Sequence, residues 1–349
     1  MSTTFLKLGM TPPPWGTWPV THPPASTYFN SWAYKLRIYA LIVLTVTGCL
    51  GNMMAFLVFI RSNMKKSSTG VYLVCLAWLD SFCIVVELLL RSNAFAVSDE
   101  VCKVAWCMRV LLRLLEAFTV VAMCADRTIC LRLPFRSKRC ANIRCAITCL
   151  VLMAVLAFLL SSYCLRIMIK HGRSCNFNWR DPYRYPLEIW HFVVNCFIGE
   201  VLTSVLVIIM AAYIINALSM MSRRARRLSS NQPPASLVDK EVTRMTAALA
   251  FSFSLLRLPY SLVYITFNVR HTHIKVPYME NIQQGLAQTM EVFTVFSNMN
   301  YCINFVIYVF FWQAFKNKLW QLLTCKPGEE ATPSRRSSSR RITESTALT

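Results

Sequence analysis

The chain is poor in acid and poor in charge altogether. Of its 349 residues, 16 are Asp or Glu against 37 Lys or Arg, for a net charge of +21. Charged residues make up 15%, where a soluble domain carries about 25%, and 55% are hydrophobic. With a mean hydropathy of +0.43, this balance excludes an ordinary soluble domain and argues for a polytopic membrane protein. Histidine is scarce, at five residues. No His-Glu-x-x-His or Gly-x-Ser-x-Gly motif is present, so nothing supports an enzyme or a cofactor. No paired CxxC pattern supports zinc. No internal repeat supports an inverted-repeat transporter. There is no Asn-x-Ser/Thr sequon, and no basic start followed by an apolar core, so a cleavable signal peptide is not expected.

What the chain does have is apolar runs of membrane-crossing length. They fall at about Tyr34–Phe59, Val71–Leu90, Val101–Leu131, Ile143–Ile169, Leu187–Leu218, Val242–Phe267 and Gln284–Phe311. The surplus of basic residues sits between them rather than on one soluble face, which argues against nucleic acid as a partner. Arg61/Lys65/Lys66, Arg132/Arg136/Lys138/Arg139, Arg223/Arg224/Arg226/Arg227 and Arg335/Arg336/Arg340/Arg341 follow the first, third, fifth and seventh runs. Positive charge in alternate loops places them in the cytoplasm and the N-terminus outside. The fifteen cysteines lie mostly inside the apolar runs, where a thiol behaves as a small buried hydrophobe. The expected organisation is an extracellular flexible tail (1–33), a seven-helix bundle (34–311), an amphipathic membrane-surface helix (312–325) and a disordered cytoplasmic tail (326–349). Cys325 is a possible lipidation site, or a free cytosolic thiol.

The third run opens with Cys102 and closes with Ala125-Asp126-Arg127-Thr128. Its cysteine and its Asp-Arg pair are 25 residues apart, roughly 38 Å along a helix, enough to cross a bilayer with some tilt. Charge at the end of such a segment is costly and is usually functional. Asn52 puts one polar group in the first span, and Asp80 puts a carboxylate in the second. The seventh carries Asn300-Tyr301-Cys302-Ile303-Asn304-Phe305-Val306-Ile307-Tyr308. The order and spacing of Asn52, Asp80, Arg127, Asn304 and Tyr308 resemble those of the rhodopsin-like (class A) G-protein-coupled receptors. The resemblance covers about Tyr34 to Cys325, with Phe305 in place of the family's proline, a replacement that occurs among peptide receptors.

That resemblance implies an all-α membrane protein, a seven-transmembrane bundle with a C-terminal surface helix, in the plasma membrane. It implies a disulfide between Cys102 and Cys175. It implies that Arg127 is held by Asp126, and by Asp239 unless that residue is an ordinary helix-start acid. On activation Arg127 would swing free toward a heterotrimeric G protein while Tyr213 and Tyr308 fill the space. Arrestin, receptor kinases and membrane lipids are the further partners it implies.

The departures from the family pattern carry more information. The fourth span lacks the usual tryptophan, and the fifth lacks the proline that accompanies its bulge, which puts the bulge in doubt. The sixth keeps Phe253 and Pro259 but has Arg257 where the rotamer-switch tryptophan stands. In the third, Arg109, Arg113 and Glu116 fall at i, i+4 and i+7, on one face of the helix. Glu116 replaces a small serine beside the family's sodium site around Asp80, with Asn300 and Asn304 nearby. Two ionised carboxylates so close would repel strongly. One is protonated, or a cation lies between them, or an arginine does. The expectation here is that Arg257 bridges Glu116 and Asp80 in place of sodium, the alternative being a pair with Glu200.

Arg109 stands where amine receptors carry aspartate, which argues against an amine ligand. Asn298 stands where opsins carry their lysine, which excludes a retinal Schiff base. Arg109 and Arg113 are suited to receive a carboxylate, sulfate or phosphate. Glu87, Glu200 and Glu291, with Tyr260, face the same cavity. The glutamates either pair with these arginines or bind basic groups of a ligand, and a self-satisfied ion network is the bland alternative. A cavity of both signs suits an extracellular peptide ligand. The rival readings are a silent or decoy receptor-like protein and a seven-helix ion or solute transporter that uses the Arg/Glu ladder as its path.

Overall fold

A computed structural model describes residues 31–62, 67–92, 98–132, 142–171, 174–178, 181–227, 234–273 and 280–324. The two expected tails lie outside these residues, and so does Cys325. The elements are α1 (Trp32–Arg61), α2 (Ser68–Arg91), α3 (Asp99–Arg132), α4 (Ile143–Ser161), a one-turn α5 (Cys164–Ile167), β1 (Met168–His171), β2 (Ser174–Phe177) and α6 (Arg184–Phe192). Then come a π-helical segment (Val193–Leu202), α7 (Thr203–Arg227), α8 (Pro234–His273), α9 (Glu280–Phe311) and α10 (Gln313–Leu323).

Among the described residues six segments are long and apolar enough to cross a membrane: Trp32–Arg61, Ser68–Arg91, Ile143–Ile167, Pro186–Met220, Lys240–Thr266 and Gly285–Phe311. The seventh, α3, carries Lys103, Arg109, Arg113 and Glu116. It packs against α2, α4, α7 and α8, so these charges sit inside the bundle rather than against lipid. The outward surface is aliphatic and aromatic, with Val43, Leu50, Leu152, Leu159, Ile209, Phe251 and Phe310 all more than half exposed. A soluble fold does not tolerate so continuous an apolar exterior.

Local signals set the helix starts. Ser31 Oγ accepts from Tyr34 N, Ser67 Oγ from Gly70 N, and Asn142 Oδ1 from Cys145 N. Each satisfies one orphan amide of a first turn. Pro259 lies inside α8, where it removes a backbone donor. The β1–β2 hairpin is an addition to the expected all-helical architecture. It pairs antiparallel, with Lys170 opposite Cys175, and the Cys102–Cys175 disulfide ties it to the start of α3 with Cα atoms 5.4 Å apart.

Two close approaches shape the bundle. The fifth span bulges without a proline: its π-helical turns cover Val193–Leu202. There Gly199 lies against α3, and a Cβ on it would sit 3.2 Å from Leu114 Cδ2. Thr203 Oγ1 donates to the carbonyl of Gly199 at 2.7 Å. A glycine that lets α3 come close, followed by a hydroxyl that caps a loosened carbonyl, takes the place of the proline signal. In α1, a Cβ on Gly51 would meet Phe305 Cβ at 3.1 Å. The absent side chain of Gly51 is what admits Phe305 at the position where proline was expected.

At the Arg127 end, Phe59, Tyr308, Trp312 and Phe315 form one aromatic cluster, with ring centroids 5.3 to 6.4 Å apart. Phe315 and Leu319 bury one face of α10 against it, and Lys316, Asn317 and Lys318 are exposed on the other.

Candidate functional site

The expected site residues fall into three layers. The first, at the disulfide end, is a set of ion pairs across helices. Arg37 of α1 pairs with Glu291 of α9. Glu87 of α2 accepts from Arg91 Nε at 2.9 Å and from Arg109 Nε at 2.6 Å. The Arg109 guanidinium carbon also lies 4.9 Å from the centroid of the Trp106 ring. Arg113 Nη2 donates to Glu200 Oε1 at 2.6 Å, and its guanidinium lies 5.7 Å from the Tyr260 ring centroid. The π-helical segment presents Glu200 here, and only 7% of its side chain is exposed. Each glutamate therefore meets an arginine of another helix. Arg37 and Arg91 take part although sequence reasoning left them out. Both stand at helix ends, where an arginine reads as an ordinary flanking charge.

The second layer is centred on Arg257, whose side chain is fully buried. Its Nη2 donates to Glu116 Oε2 and, at 3.2 Å, to the Tyr301 hydroxyl. Its Nη1 lies 3.8 Å from Glu200 Oε1. The guanidinium carbon sits 4.6 Å from the Phe253 ring centroid. Asn300 Nδ2 donates to the other Glu116 oxygen at 2.7 Å. The expected bridge from Arg257 to Asp80 is not formed. Asp80 Oδ2 takes its hydrogen bond from Asn304 Nδ2 at 2.6 Å, and Arg257 links Glu116 to Glu200 instead. The physical reason is that a guanidinium's fork spans a limited arc, and the π-helical segment delivers a second carboxylate within reach. Both Glu116 oxygens are occupied by donors, so Glu116 offers no free oxygen to a sodium ion, whereas Asp80 Oδ1 and Asn52 Oδ1 are buried acceptors without a hydrogen bond among the described residues. Asn52 Nδ2 donates to the Tyr301 carbonyl at 2.8 Å and ties α1 to the same layer.

The third layer lies at the other end. Asp126 Oδ2 accepts from Arg127 Nη2 at 3.0 Å, from Ser68 Oγ at 3.0 Å and from Thr69 Oγ1 at 3.2 Å. The two hydroxyls of α2 were not anticipated. A Ser-Thr pair at a helix start reads as capping chemistry, and here its side chains serve another helix. Asp239 belongs to α8, but its side chain lies outside the described residues, as does any pair it makes with Arg127. Tyr213 is half-buried under Arg132, whose guanidinium lies 5.6 Å from its ring centroid. Tyr308 is buried, and its hydroxyl has no hydrogen-bond partner among the described residues. Pro259 is half-buried beside the buried Tyr260.

Together the layers make a polar column in an apolar bundle. Ion pairs join α1 to α9, α2 to α3, α3 to the fifth span, and α3 to α8. Any ligand that competes for one of these partners alters how the helices are held. Arg113 is committed to Glu200, so it is not the open anion receptor that its position on the α3 face suggested.

Comparison with known proteins agrees with this arrangement. The family described as 7 transmembrane receptor (rhodopsin family) matches residues 51–308. The chain is 23% identical over 319 residues to galanin receptor 2a of Danio rerio, covering 85% of this chain and 81% of that one. It is 24% identical over 307 residues to somatostatin receptor type 2 of Mus musculus, covering 85% and 79%. It is 25% identical over 326 residues to B1 bradykinin receptor of Tupaia minor, covering 89% of each.

Proposed function

Since the chain belongs to the rhodopsin family of seven-transmembrane receptors, we propose that it is a plasma-membrane receptor for an extracellular peptide and signals to heterotrimeric G proteins. The relatives are named for galanin, somatostatin and bradykinin, all peptides, and a cavity lined by both signs of charge suits that ligand class. In this reading the N-terminus and the disulfide end face outward. Arg109, Arg113, Glu87, Glu200, Glu291 and Tyr260 line the ligand side. Asp126, Arg127, Tyr213, Asp239, Phe253, Arg257, Pro259, Asn304 and Tyr308 form the switch. Gln313–Leu323 lies on the inner membrane surface, with Phe315 and Leu319 toward the core. Arrestin and receptor kinases act at the same inner face.

The observation that carries this reading is Arg257. One buried guanidinium connects Glu116 of α3, Glu200 of the fifth span and Tyr301 of α9, and it projects from α8 two residues before the proline. A ligand that draws Glu200 or Arg113 away changes what Arg257 holds, and so shifts α8 relative to α3. A ligand moves such an equilibrium only through its differential affinity for the two states. The Arg127–Asp126 pair with Ser68 and Thr69 marks the resting arrangement, in which Arg127 is engaged within the receptor. The test is nucleotide exchange on each G-protein class in cells expressing the wild type or Arg127→Ala, challenged with a peptide library. The expected result is peptide-driven exchange that falls at least tenfold in the variant at equal surface expression. Exchange that is absent under every challenge, or equal in both proteins, contradicts the proposal.

A further inference from the structure

Arg91 and Arg109 meet on a single carboxylate, that of Glu87. Arg37 pairs with Glu291. Arg113 and Arg257 face Glu200 and Glu116, two against two. Glu87 accepts a hydrogen bond from each of two arginines, so Arg91, Arg109 and Glu87 together carry one surplus positive charge. Glu291 and Tyr260 lie within electrostatic range of Arg91, but Glu291 is engaged by Arg37.

Both arginines hold Glu87 through Nε. Among the described residues their terminal nitrogens donate to no other group. The side chains are 28% and 8% exposed, Arg91 the more open of the two. Arg109 is also braced against the Trp106 ring. Unused, oriented guanidinium donors on two converging arginines are a geometry that recognises a planar oxyanion. One surplus charge matches a monoanion and not a doubly charged phosphate.

We propose that Arg91 and Arg109, arranged around Glu87, form a subsite for one carboxylate of the ligand, supplied by a peptide C-terminus or by an acidic side chain. The assignment deepens the peptide-receptor reading and rests on it. Arg113 is outside this subsite because Glu200 engages it.

The test uses the purified full-length protein in lipid nanodiscs. Its melting temperature is followed with N-acetyl-phenylalanine and N-acetyl-leucine as free acids, with their carboxamides, and with N-acetyl-aspartate α-amide as the side-chain carboxylate probe. The free acids are expected to raise the melting temperature saturably and the carboxamides to leave it unchanged. A response to the aspartate α-amide as strong as to the free acids assigns the subsite to an acidic side chain, and a weaker one assigns it to a C-terminus. Arg109→Gln and Arg91→Gln are each expected to weaken the response at least tenfold, with Arg109→Lys in between because it keeps the charge without the fork. Arg166→Gln, at an exposed arginine, is expected to change nothing. Should Arg109→Gln fail to fold, Arg91→Gln at the half-exposed end of α2 gives the decision alone. Equal response to acids and carboxamides, no response to any probe, or a wild-type response in the folded glutamine variants overturns the subsite. The receptor reading stands or falls separately, on the Arg127→Ala exchange experiment, so failure of one is distinguishable from failure of the other.

Discussion

In the first two layers from the disulfide end five arginines and four glutamates are packed together, whereas at the Arg127 end Phe59, Tyr308, Trp312 and Phe315 close on one another beside the Asp126–Arg127 pair. The two regions both hold α1 to α9, by different physics. The aromatic cluster gains free energy from burial and dispersion, which are tolerant of direction. The ion network gains little net free energy, because removing each charge from water costs about what its partner returns. What the network adds is direction, since each guanidinium must meet a particular carboxylate. Under the proposed receptor reading, the end that would discriminate a ligand is the one built from directional groups, and the apolar end would transmit a rigid-body change.

The comparison is broken most severely by orphaning a buried charge. Glu116→Leu leaves Arg257 without its principal partner and is expected to cost about 3–5 kcal/mol, read as a fall in melting temperature of the purified protein. Adding Arg257→Met is expected to restore most of that loss, since a matched apolar pair fills the same space. A smaller effect tests the apolar side. Gly51→Ala forces a methyl group against Phe305 and is expected to cost about 1–3 kcal/mol. Combining it with a smaller residue at Phe305 should recover part of the loss. The smallest effect belongs to Arg166, which pairs with Asp181 at 3.3 Å while 56% of its side chain is exposed. Arg166→Ala is expected to cost less than about 1 kcal/mol, and a larger loss would show that the outer loop is held by its charges.

Much of this molecule is legible in its sequence, for reasons that can be named. The apolar runs mark the spans because a bilayer demands about twenty apolar residues per helix. Six of the seven satisfy that demand as described helices, and α3 fails it because its charges are spent inside the bundle. Cys102 and Cys175 are paired as the family resemblance implied. The fifth-span bulge was not legible, because the usual signal is proline and here Gly199 and Thr203 provide it through contacts visible only in three dimensions. That bulge in turn sets where Glu200 points, and so which carboxylates Arg257 joins. The expectation of an Arg257–Asp80 bridge weighed the two substitutions on α3 and α8 without the register shift in the fifth span. Arg37 and Arg91 were missed because a charge at a helix end carries no periodic signature. Ser68 and Thr69 were missed because their type and place suggested a cap.

In the proposed reading, the Arg257–Glu116–Glu200 link restrains signalling more than it stabilises the fold. The most direct measurement is basal G-protein nucleotide exchange by the Glu116→Leu/Arg257→Met double variant in lipid nanodiscs, beside the wild type at equal folded concentration. The expected result is a melting temperature within a few degrees of wild type together with basal exchange raised severalfold. A double variant as stable as the wild type, with unchanged basal and peptide-driven exchange, would contradict it.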